Sequence, residues 1–391
     1  MGGPVRLLAL LAVAAATHAQ GAVAAASDRF VPADPGFIVA SVRQAQPDEK
    51  LLPLLESWRA DRTSTSTSAA LASAFIERAR SLREPAYFGR AEAVLAPLAS
   101  RPGAGATPRR LYAEVLQYRH EFAAAEALLD AVLRDAGHDE DARLLRASVR
   151  LVRGEFDGAR ADCAQLAAAG GRTAVPGFAC FAEALAGGGD LDRGLALLGT
   201  LPADSRTLEA SGSAYLLATR GELRERNQDT QGAVMDYRAA LNLAPGDDSI
   251  RAALADALSM SAMNTEATEV LSIDKPGIAL LVRSAALAKG ASRLELAARA
   301  SAWLALEASR GDALHFREAA MLALVNDDPA RALAAARTNF EKQRELADVR
   351  VLARAALAAR DMQALSALRQ WMLETGYRDS VTAGILDTAL R

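Results

Sequence analysis

The chain has 391 residues, 51% of them apolar but only 5% aromatic, and a net charge of −3 with both signs interspersed. The apolar share rests on Ala and Leu, which favours closely packed helices and leaves few β-branched runs for strands. Near-neutral charge without a basic stripe argues against a nucleic-acid binder, and the scarcity of lysine (Lys50, Lys275, Lys289 and Lys342 alone) against abundant arginine is a bacterial GC-rich composition.

The first segment, Met1 to Gln20, carries one charge at Arg6, an apolar run from Leu7 to Ala16 and small residues at Thr17-His18-Ala19. This is the pattern of a signal peptide over residues 1–19, with a second cleavage candidate at Ala24-Ala25-Ala26. The run is short for a membrane span, so an uncleaved N-terminal anchor facing the periplasm is the alternative. No Cys follows for a lipid anchor, and Arg6 replaces the Ser/Thr that myristoylation needs. The expected product is an exported, periplasmic chain with no membrane span after cleavage.

Residues 20–65 read as a linker and capping helix. Pro32, Pro35 and Gly36 suit a loop or short cap, Leu51 to Arg62 a helix, and Thr63 to Ser68 a linker ending in a helix N-cap. Over residues 66–375 small residues recur in pairs twelve apart: Ala79/Ala91, Ala113/Ala125, Ala147/Ala159, Ala182/Gly194, Gly221/Ala233, Ala255/Ala267, Ala286/Ala298 and Ala320/Ala332. First members are separated by 34, 34, 35, 39, 34, 31 and 34 residues. That period is the signature of stacked helical hairpins, with each pair lying where antiparallel helices come closest. Phe122, Phe156 and Leu191 follow the turns and re-enter the core. A last unit pairs Ala353 with Ala364 or Leu365, and residues 376–391 read as a C-terminal cap. The fold class expected is all-α, an α-solenoid of about nine hairpins in a right-handed superhelix.

The stretch Gly221 to Pro245 carries Gly221, Ala233, Tyr237, Ala240 and Pro245 at the small, small, aromatic, small and Pro positions of the tetratricopeptide repeat family, which the chain resembles over about residues 66 to 375. It departs from that pattern in lacking the usual Trp and most Tyr residues, and around Lys289 to Leu296. The resemblance implies a protein-binding scaffold in which the first helix of each repeat lines a concave groove. Carried over by repeat phase, the groove positions are Arg110, Glu114, Glu183, Glu222, Asp256, Arg283, Arg317, Met321, Arg350 and Arg354. The middle of such a groove is acidic. Its last third is basic, and four arginines at one-repeat steps suit an extended acidic peptide or a carboxylate terminus, or else are solvated charges.

The same phase sets Cys163 and Cys180 on facing helices around a Gly-rich turn, where they form either a disulfide in an oxidising compartment or two small buried side chains. His120 and His138 fall at turns and His315 early in a helix, and all three read as surface residues. No motif for hydrolysis, phosphate or metal binding occurs, so no catalytic residue, metal or cofactor is expected. Partners are expected to be other envelope proteins or extended peptides, and a structural spacer in an envelope assembly is the alternative function.

Overall fold

The computed structural model describes residues 50–82, 84–101, 103–201, 210–310 and 315–391. The signal peptide, both cleavage sites, the single charge at Arg6 and the Pro32–Gly36 loop lie outside them. Among the described residues there are twenty α-helices and no strand. They are α1 (Leu51–Ala60), α2 (Thr65–Leu82), α3 (Ala86–Ala99), α4 (Ala106–Tyr118), α5 (Phe122–Asp135), α6 (Glu140–Arg153), α7 (Phe156–Ala169), α8 (Ala174–Gly187), α9 (Leu191–Thr200) and α10 (Ala210–Arg226). The second half holds α11 (Thr230–Leu243), α12 (Asp248–Met260), α13 (Asn264–Leu271), α14 (Ile278–Leu287), α15 (Gly290–Arg310), α16 (Phe316–Val325), α17 (Pro329–Lys342), α18 (Leu346–Ala358), α19 (Met362–Thr375) and α20 (Ser380–Ala389).

Helices start where an Asp can cap them. The side chains of Asp139, Asp229, Asp247, Asp328, Asp361 and Asp379 each accept a backbone N–H of the first turn. They end at a turn containing one left-handed residue. His120, Gly154, Gly189, Gln228, Ala262, Asp327 and Arg360 all have positive φ and recur about once per repeat. The expected linker over Thr63 to Ser68 is shorter than its composition suggests. Asp61 accepts the N–H groups of Thr63 and Ser64, Ser64 Oγ accepts that of Thr67, and α2 already runs from Thr65. Ser68 is buried inside the helix and caps nothing.

Consecutive helices pair as nine hairpins, from α2–α3 to α18–α19, with α1 before them and α20 after. The first helices of successive hairpins also pack side by side, from α2 through α4, α6 and onward to α20. Every small residue of the pairs carried by Ala79, Ala113, Ala147, Ala182, Gly221, Ala255 and Ala320, with Ala91, Ala125, Ala159, Gly194, Ala233, Ala267 and Ala332, is buried. A Cβ on Gly194 would stand 2.6 Å from the Ala182 carbonyl, and one on Gly221 2.9 Å from the Tyr237 ring. Close helix approach sets the residue type there. One pair is displaced: Ala286 and Ala298 are exposed, whereas Ala285 and Ala297 are buried. The preceding helix α13 is short, and only Ala288 and Lys289 separate α14 from α15, so the phase slips by one residue. Cys163 on α7 and Cys180 on α8 are joined by a disulfide with a Cα–Cα distance of 5.6 Å.

The array then closes on itself. Loops that enter the last first-helices pack on hairpin turns of the early repeats, forming a seam across nearly two hundred residues of sequence. The Arg344 N–H donates to the Val152 carbonyl at 2.7 Å, and Arg344 Nη1 donates to the Arg153 carbonyl at 2.9 Å. Gly376 and Gly189 meet backbone to backbone, both at positive φ, and a Cβ on Gly376 would lie 2.8 Å from the Gly189 Cα. Phe156, which follows the α6–α7 turn, packs into the apolar core built by α16 to α20.

Candidate functional site

The first helices pack side by side into one wall, and their side chains one turn apart share a face. On it, the polar residues pair from one repeat to the next. Arg80 reaches Glu114 at 2.6 Å, Arg110 approaches Asp141 at 4.0 Å, and Tyr215 Oη donates to Glu183 at 2.9 Å. Further along, Arg283 grips Asp256 at 2.7 Å and Arg317 grips Asp348 at 2.9 Å while also pairing with Glu345. Arg350 bridges Asp379, at 2.7 Å, and Glu225.

The arginine ladder expected as a ligand site is therefore engaged inside the molecule. Arg283 and Arg350 are each 6% exposed and held in these pairs, and Arg317 keeps 18% of its side chain exposed. Their recurrence at one-repeat steps is the recurrence of the repeat interface, because each rivets its helix to an acid about thirty residues away. Neither a free binding ladder nor a solvated face describes them. Of the four basic positions Arg283, Arg317, Arg350 and Arg354, Arg354 alone is exposed, one helical turn beyond Arg350. Met321 is half-buried against the cores on either side of α16.

The acidic middle of the wall does come together. Glu183, Glu222 and Glu225 stand on α8 and α10, and Glu222 lies 4.0 Å from Arg226. Burial pushes the Glu183 carboxyl up to about 8, reinforced by the negative charge of Glu222. Burial likewise pushes Glu222 up to about 7; Arg226 opposes the rise and Glu345 and Glu225 add to it. Glu222 nonetheless keeps 31% of its side-chain surface open, so it faces a water-reachable space inside the wall.

Arg226 does not serve these acids fully. It donates to the carbonyls of Ala186 and Arg378, at 2.8 and 2.9 Å, and stacks 4.0 Å from the centre of the Tyr377 ring. Two open clefts flank the seam there. One of about 830 Å³ is lined by Arg226, Met372, Leu373, Tyr377 and Leu386, and one of about 590 Å³ by Arg150, Phe156, Gly188 and Thr375.

Histidines expected at the surface divide. His138 is exposed, but His120 and His315 meet at the seam with ring centres 5.6 Å apart. His120 contacts Gln343 across the seam at 3.1 Å, and His315 contacts Glu307 at 3.0 Å. Burial, then the charge of His315, lowers the His120 pKa. Burial acts in the same direction on His315 but is outweighed by Glu307 and Glu318, so that its pKa rises.

A second polar motif was missed in the sequence and lies between first and second helices. Asp162 on α7 is 1% exposed and accepts from Arg146 at 2.6 Å and Arg150 at 2.9 Å. Asp236 on α11 is 4% exposed and accepts from Arg220 at 2.6 Å and Arg224 at 2.7 Å. The spacing, an arginine pair four apart with an aspartate twelve beyond the second, is identical in the two repeats. That repetition at fixed phase was the signal that would have found it.

Among the described residues no group of three or more His, Cys, Asp and Glu side chains is placed to hold a metal ion, and no helix is long and apolar enough to cross a membrane. No protein-family model matches the chain, and no curated protein matches it significantly. Solved structures with a similar arrangement include a thermophilic TPR protein of Thermus thermophilus, 19% identical over 51% of this chain and 98% of that one, with a TM-score of 0.37. A tetratricopeptide repeat protein of Parabacteroides merdae is 14% identical over 74% of this chain and all of its own, at 0.33. The human IFIT1 dimer with PPP-AAAA is 14% identical over 84% of this chain and 73% of that one, at 0.44. By their own repeat period and packing, the described residues form an all-α solenoid of nine stacked helical hairpins.

Proposed function

We propose that the chain is a non-enzymatic scaffold, exported to the bacterial periplasm, that holds a partner protein or extended peptide against its concave wall. The observation that carries this reading is the continuous wall of first helices, which presents Glu222 and Asp256 on the adjacent helices α10 and α12, and Arg354 further along on α18, with part of each side chain open to solvent. Export is supported by the Cys163–Cys180 disulfide, a bond that persists in oxidising compartments. The charge order along the wall, acidic on α8 to α12 and with the exposed guanidinium of Arg354 on α18, suits a segment carrying both signs.

Charge reversal at Arg317 or Arg350 would break internal pairs, so it cannot report on a ligand. A photo-crosslinker placed at Arg354 or Asp256 in the producing cell is expected to capture one and the same partner. The control position is Met235, 67% exposed on the outer helix α11. Capture at Met235 equal to that at the wall, or unchanged by Arg354→Glu, would overturn the reading. The seam favours a second one, a rigid spacer in an envelope assembly, because a closed array resists bending. Capture only from outer-helix positions is the result it predicts.

A further inference from the structure

A chain of buried polar side chains crosses the seam, and its hydrogen bonds can run in one direction only. It starts at Asp348 on α18, where every neighbour is a donor. Arg317 Nη2 at 2.9 Å and the Glu345 N–H at 2.8 Å reach Oδ2, while Arg317 Nε and Asn339 Nδ2 reach Oδ1, the latter at 2.6 Å. A carboxyl proton would find no acceptor there, so this end of the chain is a carboxylate. Asn339 must spend its NH2 group on Asp348, which leaves its carbonyl oxygen to accept from Gln343 Nε2 at 2.7 Å. Gln343 Oε1 is left to accept in turn. Asp348, Asn339 and Gln343 are all buried. What meets Gln343 Oε1, at 3.1 Å, is Nδ1 of His120 from the α4–α5 turn, 223 residues away in sequence. An acceptor at that place requires a hydrogen on Nδ1, and a neutral imidazole carries one N–H, so the lone pair of His120 lies on Nε2.

A second proton on Nε2 has a poor setting. The His315 ring stands with its centre 5.6 Å from that of His120, and its Nδ1 lies 3.0 Å from Glu307 of α15. Arg317 and Glu318 of α16 and the Phe122 ring of α5 complete the surroundings. On its own turn, Arg119 is paired with Glu121 and with Glu92.

We propose that His120 is an acid-release catch of the seam: neutral, with its hydrogen on Nδ1, it completes the chain from Asp348 and holds the α4–α5 turn on the end of α17; protonated on Nε2 as well, it is an added cation beside His315 and Arg317, and this end of the seam lets go. The second proton leaves the bond to Gln343 in place, so the cost is the charge itself. Lost hydration is its largest part, followed by the charge of His315, with Arg317 adding to it and Glu318 opposing. Release returns the imidazolium to water. Linkage gives the sign: the closed seam lowers the His120 pKa, so the closed form binds fewer protons than an open one in which His120 has its ordinary affinity. Closure is fully present above the ordinary histidine value of about 6.5 and is lost as pH falls through the lowered one. Asp348, pushed up to about 6 by burial against the opposing charge of Arg317, and His315, raised by Glu307 and Glu318 against burial, titrate in the same region. Their partners all belong to the C-terminal repeats and move with them, so opening the seam leaves those partners in place. The catch does not rest on the wall binding a partner.

The test is hydrogen exchange at the Arg344 amide, which follows Gln343 and is bonded across the seam to the Val152 carbonyl. It uses the full chain with its disulfide intact, between about pH 7.5 and about pH 5. After correction for intrinsic exchange, wild-type protection is expected to fall at least about threefold towards the acid end. His120→Asn is the decisive variant. Asn accepts the left-handed φ of 58° and offers an N–H where Nδ1–H stood, but it does not titrate. Its protection should stay level across the range, and His315→Gln, which removes the neighbouring cation, should shrink the fall. Nitrogen-15 shifts of the His120 ring in the neutral wild type should show the hydrogen on Nδ1, a signature that a merely structural role would not require. An Nε2–H tautomer overturns the proposal, as does equal wild-type protection at both ends or the same fall in His120→Asn. Should His120→Asn fail to give native circular dichroism, His315→Gln and the tautomer decide, and an undiminished fall refutes the catch.

Discussion

At the residue scale, the two cysteines and the small residues act through what they permit to approach. Cys163 occupies, four residues after Ala159, the phase that Tyr237 occupies after Ala233, and it is fully buried opposite Cys180. The bond closes a loop of 17 residues, which in the chain-entropy model contributes about 3 kcal/mol. Reduction, or the Cys163→Ser/Cys180→Ser pair, is expected to lower the unfolding free energy by about that amount and, because the unfolded chain becomes less compact, to leave the m-value equal or higher. An unchanged midpoint would show that neighbouring helix contacts already hold this loop in the unfolded ensemble.

Within each hairpin, the buried arginine–aspartate clusters tie the first helix to the second. Asp162 meets Arg143 as well as Arg146 and Arg150, so truncating it strands three guanidinium groups that burial has taken partly out of water. Removing one partner of such a cluster costs about 3–5 kcal/mol. Asp162→Ala and Asp236→Ala should each destabilise by this order in urea denaturation. Because they sit two hairpins apart without a shared partner, the double variant should show the sum to within about 0.5 kcal/mol. Strong non-additivity would mean that the two hairpins unfold as one unit.

Over the whole molecule the seam changes what kind of object the repeat array is. An open solenoid has only nearest-neighbour contacts, and its repeats fray from the ends. Here repeats far apart in sequence share the Arg344–Val152 backbone bond, the Gly189–Gly376 contact and the Arg226–Tyr377 stack. Gly376→Val places a branched side chain at φ +70° against the Gly189 backbone, which cannot give way. The expected outcome is an opened seam: a larger radius of gyration with helix content retained, and a broadened thermal transition. If the scattering profile of this variant matches the wild type, the seam does not hold the array closed.

The sequence by itself determined the helical hairpins, their number and most of their register, because these depend on nearest neighbours. A small residue at a helix crossing, an Asp at a helix start and a left-handed turn are each settled within about one repeat of chain. The same locality made the facing of Cys163 and Cys180 legible, and it failed only at Ala286/Ala298, where a shortened connection moved the phase by one. It showed that arginines recur on the wall, but not what they hold. Their partners lie a full repeat away, and the reach from one helix to the next depends on how the helices lean. Only the tertiary structure decided that the loops of the last repeats pack on the hairpin turns of the early ones. Whether residue 344 meets residue 152 depends on the small rotation between neighbouring repeats, summed over about six of them. A few degrees at each step, invisible in any single repeat, separates an array with free ends from one whose late repeats meet its early ones.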